Sequence, residues 1–136
     1  MIDGVKNVEI VARDLTAEEK LRLYKAVGWG DLYTEPEKDP MLFTAVAVAN
    51  GKAIGAASMS GNGINCYVLR DVMVMPDYQG KGIGGRLLDE VLAWMEDEAP
   101  RGGSIILLAP EDKVGFYERY GFKGPNHGVI GMRRRT

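Results

Sequence analysis

The chain has 136 residues, 46% of them hydrophobic and 26% charged, which suits one domain with a genuine core and is too little for two. Lys and Arg number 17 against 19 Asp and Glu, for a net charge of −2, so the basic footprint of a nucleic-acid-binding domain is missing, and Arg133 to Arg135 read as a solvated end. One cysteine (Cys66) and one histidine (His127) exclude an internal disulfide and a protein-built metal cluster, and no apolar run reaches the roughly 20 residues that cross a bilayer. The start "MIDGVKNVEIVARDL" lacks the basic and apolar regions of a signal peptide, so the expected location is the cytoplasm, with no membrane or nucleic-acid partner.

"VEIVA" (residues 8–12) predicts a first strand. Thr16 and Glu19 form a capping box, followed by Leu21, Leu23, Tyr24 and Val27 as apolar positions of a helix that should stop near Gly28. "GWGDLYTEPEKDP" is turn-rich yet carries Trp29 and Tyr33, aromatic residues that serve either a satellite core or a ligand surface. The runs "LFTAVAVA" and "KAIGAASMS" are strand-like and joined by Asn50-Gly51, which favours a type I′ turn because both central positions need φ > 0. A turn at Gly61 to Gly63 and the run "NCYVLRDVMVM" complete an antiparallel meander, with Cys66 expected as a buried, inert thiol at the start of its third strand.

A second helix follows, with Leu87, Leu88, Val91, Leu92 and Met95 on one face and Arg86, Asp89, Glu90, Glu96 and Asp97 outside, stopped at Pro100 to Gly103. "SIILLA" reads as a strand buried on both faces, which makes residues 68–108 a βαβ unit with parallel strands. A short helix over Val114 to Tyr120 should close on Gly121 as its C′ residue, and "GVIGMRRR" reads as a last strand. The fold class is α/β: a mixed sheet, antiparallel meander first and then βαβ with parallel central strands, flanked by helices, in a single domain over residues 1–136.

The informative stretch is "VMPDYQGKGIGGRLLDE", where a strand-like run ends in Pro76, and Gly80, Gly82, Gly84 and Gly85 crowd the start of a helix. A tight turn would need fewer glycines. A helix start offers unpaired N–H groups and a positive dipole end, and glycines let an anion, typically phosphate, approach them. The Walker pattern is absent, which excludes a P-loop NTPase. Gly80, Gly82 and Gly85 satisfy the dinucleotide fingerprint, with Glu111 as a late acidic partner, but too little chain follows for the rest of a doubly wound sheet.

Gln79-Gly-Lys-Gly82-Ile-Gly84 also matches Q/R-x-x-G-x-G/A, and "GFYERYGF" (115–122) follows some thirty residues later. Together, in this order, they resemble the GNAT superfamily of acetyl-CoA-dependent N-acetyltransferases, and the order of elements looks like that fold. The resemblance covers nearly the whole chain and thins before Leu42. It implies that backbone amides of Gln79, Gly80, Lys81, Gly82, Ile83, Gly84 and Gly85 hold the pyrophosphate of acetyl-CoA. It implies further that Val74 meets the pantetheine amides and that the Val72 backbone N–H stabilises the thioester carbonyl. Tyr117 matches the family's tyrosine near the sulfur, a general acid for the departing thiolate. The sequence departs from the pattern at Pro110, where many members carry an Asn, so that contact does not transfer.

The acceptor must lose a proton, since an alkylammonium has a pKa of about 10.4. Asp71 beside Val72, His127 in "GPNHG", or a water relay could take it, although Asp71 reads more readily as a solvated or salt-bridged strand residue and a lone loop histidine more readily as incidental. Acceptor walls in this fold come from the first helix and following loop, here Lys20 to Asp39, and from Gly124 to Gly128. Trp29, Tyr33, Glu35 and Glu37 suit an aralkyl amine or polyamine. The expected function is direct acetyl transfer from acetyl-CoA to a primary amine, without a metal; a homodimer is compatible with so small a domain but is not readable in the sequence. A non-catalytic acyl-CoA-binding module and, more remotely, a dinucleotide-binding protein are the alternatives.

Overall fold

Antiparallel pairing through local turns builds most of the sheet. The computed structural model of the protein describes residues 7–30 and 39–135. Strand β1 (Val8–Ala12) pairs with β2 (Phe43–Ala49), which turns at Asn50 and Gly51 into β3 (Lys52–Gly61). Both turn residues take positive φ, 52° and 75°, as a type I′ hairpin demands. Strand β4 (Cys66–Val74) pairs antiparallel with β3, and β5 (Ser104–Ile106) closes a mixed sheet of order β1-β2-β3-β4-β5. The chain forms two compact units, 1–105 and 106–136.

In the first unit, two helices cover opposite faces of the sheet. Helix α1 (Ala17–Ala26) starts on the Thr16–Glu19 capping box, and packs Leu23 and Tyr24 against Val46, Ala53, Ala56 and Met73. Phe43, three residues before Val46 along β2, points to the other face by strand alternation, and its ring stacks on Trp94 of α2 (Ile83–Glu98) at 5.3 Å. From α2 the side chains of Ile83, Leu87, Leu88 and Val91 are buried, as the helical spacing of apolar residues requires. Alanines at 45, 47, 53, 56 and 57 fill the strands between the helices with little bulk. No helix among the described residues is long and apolar enough to cross a membrane.

Three expectations are corrected. Cys66 is exposed, because it follows directly on the turn in which Asn62 Oδ1 accepts from the backbone N–H groups of Ile64, Asn65 and Cys66. The strand expected through Ala109 stops at Ile106, and Ile106 and Leu108 are 56% and 60% exposed rather than buried on both faces. Residues 128–135 form no strand, so β5 is an edge of the sheet as described. Gly128, Gly131 and the consecutive arginines 133–135 are residues that disfavour strand pairing.

Candidate active site

Strand β4 is not regular where the candidate residues lie. Ser58 of β3 pairs with Arg70 and Ala56 with Met73, so Asp71 and Val72 together face the single residue Ala57 in a β-bulge. Asp71 takes φ +55°, the left-handed region, and Asn50 of the hairpin is the other non-glycine residue with positive φ among those described. The extra residue inverts the alternation beyond it. Met73 consequently lies with Ala56 under α1, whereas unbroken alternation from Leu69 would turn it to the α2 face.

The bulge also sets where the Asp71 carboxylate goes. The phenol of Tyr24 in α1 donates to Asp71 Oδ2 at 2.6 Å, and Arg70 Nη2 lies 3.6 Å from the same oxygen. The Arg70 guanidinium grips Asp39 through Nη1 to Oδ1 at 2.9 Å and Nη2 to Oδ2 at 2.7 Å, and Lys20 Nζ stands 3.8 Å from Asp39 Oδ2. Burial and the neighbouring Asp71 carboxylate push the Tyr24 phenol well above its ordinary range, so it remains a donor. Burial disfavours the Arg70 charge, but the carboxylates of Asp71 and Asp39 outweigh it and hold the group above its usual value. Asp71 is thus a hydrogen-bonded and ion-paired residue.

Past Val74 the chain makes a 3-10 turn at Pro76–Tyr78 and enters the glycine-rich loop. The Gln79 side chain reaches back, Nε2 donating to the Val74 carbonyl at 2.8 Å. Gly80 and Gly82 take φ +76° and +82°, and a Cβ on either would meet no protein atom within 4 Å. Left-handed backbone, not crowding by the chain itself, therefore calls for glycine at both. Gly82 is the N-cap of the 16-residue α2, with no side-chain cap and no acidic residue in the first turn. A long helix whose N-cap is a glycine, beside glycines with open space and next to the exposed Lys81, fits an anion such as a pyrophosphate.

The second unit carries Tyr117 and His127. After Pro110 and a 3-10 turn at Glu111–Lys113 comes the short helix α3 (Val114–Glu118). Phe122 N–H donates to the Tyr117 carbonyl and Gly121 N–H to that of Glu118, with Gly121 at φ +88°, so Gly121 is the C′ residue of a Schellman closure as its position implied. The Tyr117 ring sits edge-on to Phe116 at 5.0 Å and to Phe122 at 6.1 Å, and burial raises its phenol above the ordinary value. His127 ends an exposed 3-10 turn, Pro125–His127.

Of the proposed acceptor residues, Trp29 is 40% exposed and packs edge-on against Tyr24 at 5.3 Å, while Tyr33, Glu35 and Glu37 lie outside the described residues. The first unit therefore brings Asp71, Val72, Val74 and Gln79 to Gly85 into one continuous stretch, and links Trp29 to it through Tyr24. Sequence reading assigned no role in the site to Tyr24 and Arg70. Their roles depend on the bulge, for which the sequence offers one hint, an Asp in mid-strand, a residue type that tolerates left-handed backbone.

Comparison with known proteins supports the same chemistry. The acetyltransferase (GNAT) domain family matches residues 41–124. The uncharacterized N-acetyltransferase ycf52 of Pyropia yezoensis is 28% identical over 132 residues, covering 87% of this chain and 74% of that protein. A GNAT family acetyltransferase from Streptococcus pneumoniae superposes with a TM-score of 0.79 at 27% identity, over 95% of this chain and 98% of that one. A Brucella melitensis GNAT family acetyltransferase, solved in complex with acetyl-CoA, shares the fold with a TM-score of 0.62 at 24% identity, over 85% of this chain and 84% of that one. Family match, bulged strand and glycine-opened helix agree, and the chain belongs to the GNAT acetyltransferases.

Proposed function

We propose that the protein moves an acetyl group from acetyl-CoA directly onto a primary amine of a small molecule or peptide. The observation that carries this reading is the β4 bulge at Asp71 and Val72, which runs without interruption into the glycine-lined start of α2. A bulge takes one residue out of the regular ladder, so its N–H can serve something other than the neighbouring strand. In this reading that donor is the Val72 N–H, and it stabilises the negative charge that develops on the thioester oxygen. One such donor is worth about 3–4 kcal/mol. Val74 offers its backbone to the pantetheine amides, and the loop from Gln79 to Gly85 holds the pyrophosphate. The Brucella protein's complex supports the choice of ligand at the level of the fold.

When bound, acetyl-CoA supplies the acyl group and a thiolate leaving group. As the amine nitrogen bonds to the carbonyl carbon, the carbon–sulfur bond breaks and Tyr117 gives its proton to the sulfur, and the proton that the new amide nitrogen sheds returns through water to the Tyr117 phenolate. Burial keeps that phenol protonated through the neutral range, which suits an acid. Asp71 is engaged by Tyr24 and Arg70, so the ammonium proton leaves through water or His127. Trp29 lines the acceptor side in this reading, which favours an aralkyl amine, and the residue types at positions 33, 35 and 37 also suit a polyamine. The test is thiol release from acetyl-CoA with a panel of aralkyl amines, polyamines and peptides. Release with at least one class is expected. Measurable CoA binding without release for any amine would overturn the reading in favour of a non-catalytic acyl-CoA-binding module.

A further inference from the structure

We propose that Tyr24 is a positioning residue for this transfer: its phenol holds Asp71 in the left-handed conformation that makes the β4 bulge and presents Val72. The inference rests on the reading of the Val72 N–H given above. Positive φ is unfavourable for a residue with a Cβ and persists where the surroundings over-determine it. Asn50 has a local reason, its place in a type I′ turn, whereas Asp71 sits in mid-strand, where no turn requires φ +55°. What holds it is tertiary. Tyr24 is 5% exposed, its ring is packed among Leu23, Val46, Ala53, Ala56 and Met73, and its hydroxyl meets Asp71 Oδ2 at 2.6 Å.

The anchor is itself fixed. The Trp29 N–H donates to the Tyr24 carbonyl at 2.8 Å, and the Trp29 ring packs on the Tyr24 ring. On the strand side, Arg70 is tied to Asp39, so the residue preceding the bulge is held as well. Losing the Tyr24 hydroxyl frees the Asp71 backbone to leave the left-handed region, which turns the adjoining Val72 N–H away from its aim while the pairings on either side of the bulge stay in place. Misplacement by about 1 Å can cost a catalytic group on the order of a hundredfold.

The test compares the wild-type chain with Y24F, D71N, D71A, D71G and the Y24F/D71G double variant, using thiol release and backbone NMR shifts of residues 70–73. Y24F is expected to lower kcat about 5- to 30-fold with KM for acetyl-CoA within about twofold. Its Asp71 Cα and Cβ shifts should move from left-handed toward extended values. Asn tolerates left-handed backbone and still accepts from a phenol, so D71N should retain more kcat than D71A. Glycine needs no latch, so adding Y24F to D71G should change kcat less than twofold. Unaltered kcat or unaltered Asp71 shifts in Y24F would overturn the proposal. D71N as inactive as D71A would assign Asp71 to proton transfer instead. Were the wild type to bind CoA yet release no thiol, the transfer reading would fall, and the Asp71 shifts would still decide whether Tyr24 holds the bulge.

Discussion

The side-chain amide of Gln79 donates to the backbone carbonyl of Val74 at 2.8 Å, fastening the glycine-rich loop to the end of the strand that precedes it. Val74 makes the last β3–β4 pairing, with Gly55, so the tie joins the loop to a fixed point of the sheet. The first residue of the Q-x-x-G-x-G pattern thus contributes through its side chain as well as its N–H. Gln79→Ala should leave the fold intact, because the bond is exposed, and release the loop. A hydrogen bond of this kind is worth about 0.5–1.5 kcal/mol, so Kd for CoA should rise about 3- to 10-fold by titration calorimetry. A Kd within twofold of wild type would mean that the loop is held by its backbone alone.

Gly82 separates two demands that glycine can meet. Its φ of +82° makes a side chain costly, and the space beside it is open to a ligand. Gly82→Ala should destabilise the chain by about 1–2 kcal/mol, the cost of left-handed backbone for a residue with a Cβ. Gly82→Asn should cost less, since Asn tolerates that conformation and is a good N-cap. Both should weaken CoA binding more than tenfold if the ligand approaches at this point. Urea denaturation and calorimetry on the same two proteins separate the effects. An Asn variant that binds CoA like wild type would place the pyrophosphate elsewhere.

What the sequence disclosed was local. Asn50-Gly51, Thr16 with Glu19, and Gly121 after α3 act within one turn, and each adopts the geometry its residue types favour. The glycine-rich loop was legible for the same reason. Hidden features depended on partners distant in the chain. The bulge at Asp71 is a register choice between β3 and β4, and the Tyr24–Asp71 bond joins residues 47 apart. Strict alternation would keep Leu69 and Met73 on one face, and the inserted residue is what breaks that rule. "SIILLA" misled because a continuous apolar run does not say whether a neighbour will cover it, and here the strand ends at Ile106 on an edge.

Tyr117 is placed by its aromatic neighbours Phe116 and Phe122, so removing only its hydroxyl should leave the second unit packed. Tyr117→Phe is expected to lower kcat at least several-fold with Kd for CoA changed less than twofold, as befits a group acting on the leaving sulfur. Because burial raises the phenol, its ionisation should not depress kcat until the pH passes about 10, the ordinary tyrosine value. Turnover unchanged in the Phe variant would remove Tyr117 from the reaction.

The start of α1 carries the clearest pH signature. Arg13 clasps Glu19 with two bonds, 2.8 and 3.0 Å, while the Thr16 N–H donates to Glu19 Oε1 at 2.9 Å and the Glu19 N–H donates to Thr16 Oγ1 at 3.1 Å. The Arg13 hydrogen bond, outweighing partial burial and aided by the Thr16 N–H, holds the Glu19 carboxyl down at about 2. In the unfolded chain that carboxyl returns to the ordinary value of about 4.3. Unfolding then takes up a proton between those values, so the stabilisation is complete above about pH 4.3 and is lost as the pH falls toward 2. Thr16→Ala should cost about 1 kcal/mol at pH 7, the usual worth of an N-cap. Glu19→Gln should lower Tm at pH 7 and flatten the fall in Tm between pH 4.5 and 2.5, since the group that titrates there is gone. Parallel Tm curves for wild type and Glu19→Gln across that window would show that the capping box contributes nothing to acid sensitivity, and that the Arg13 pair is as weak as an exposed salt bridge in water.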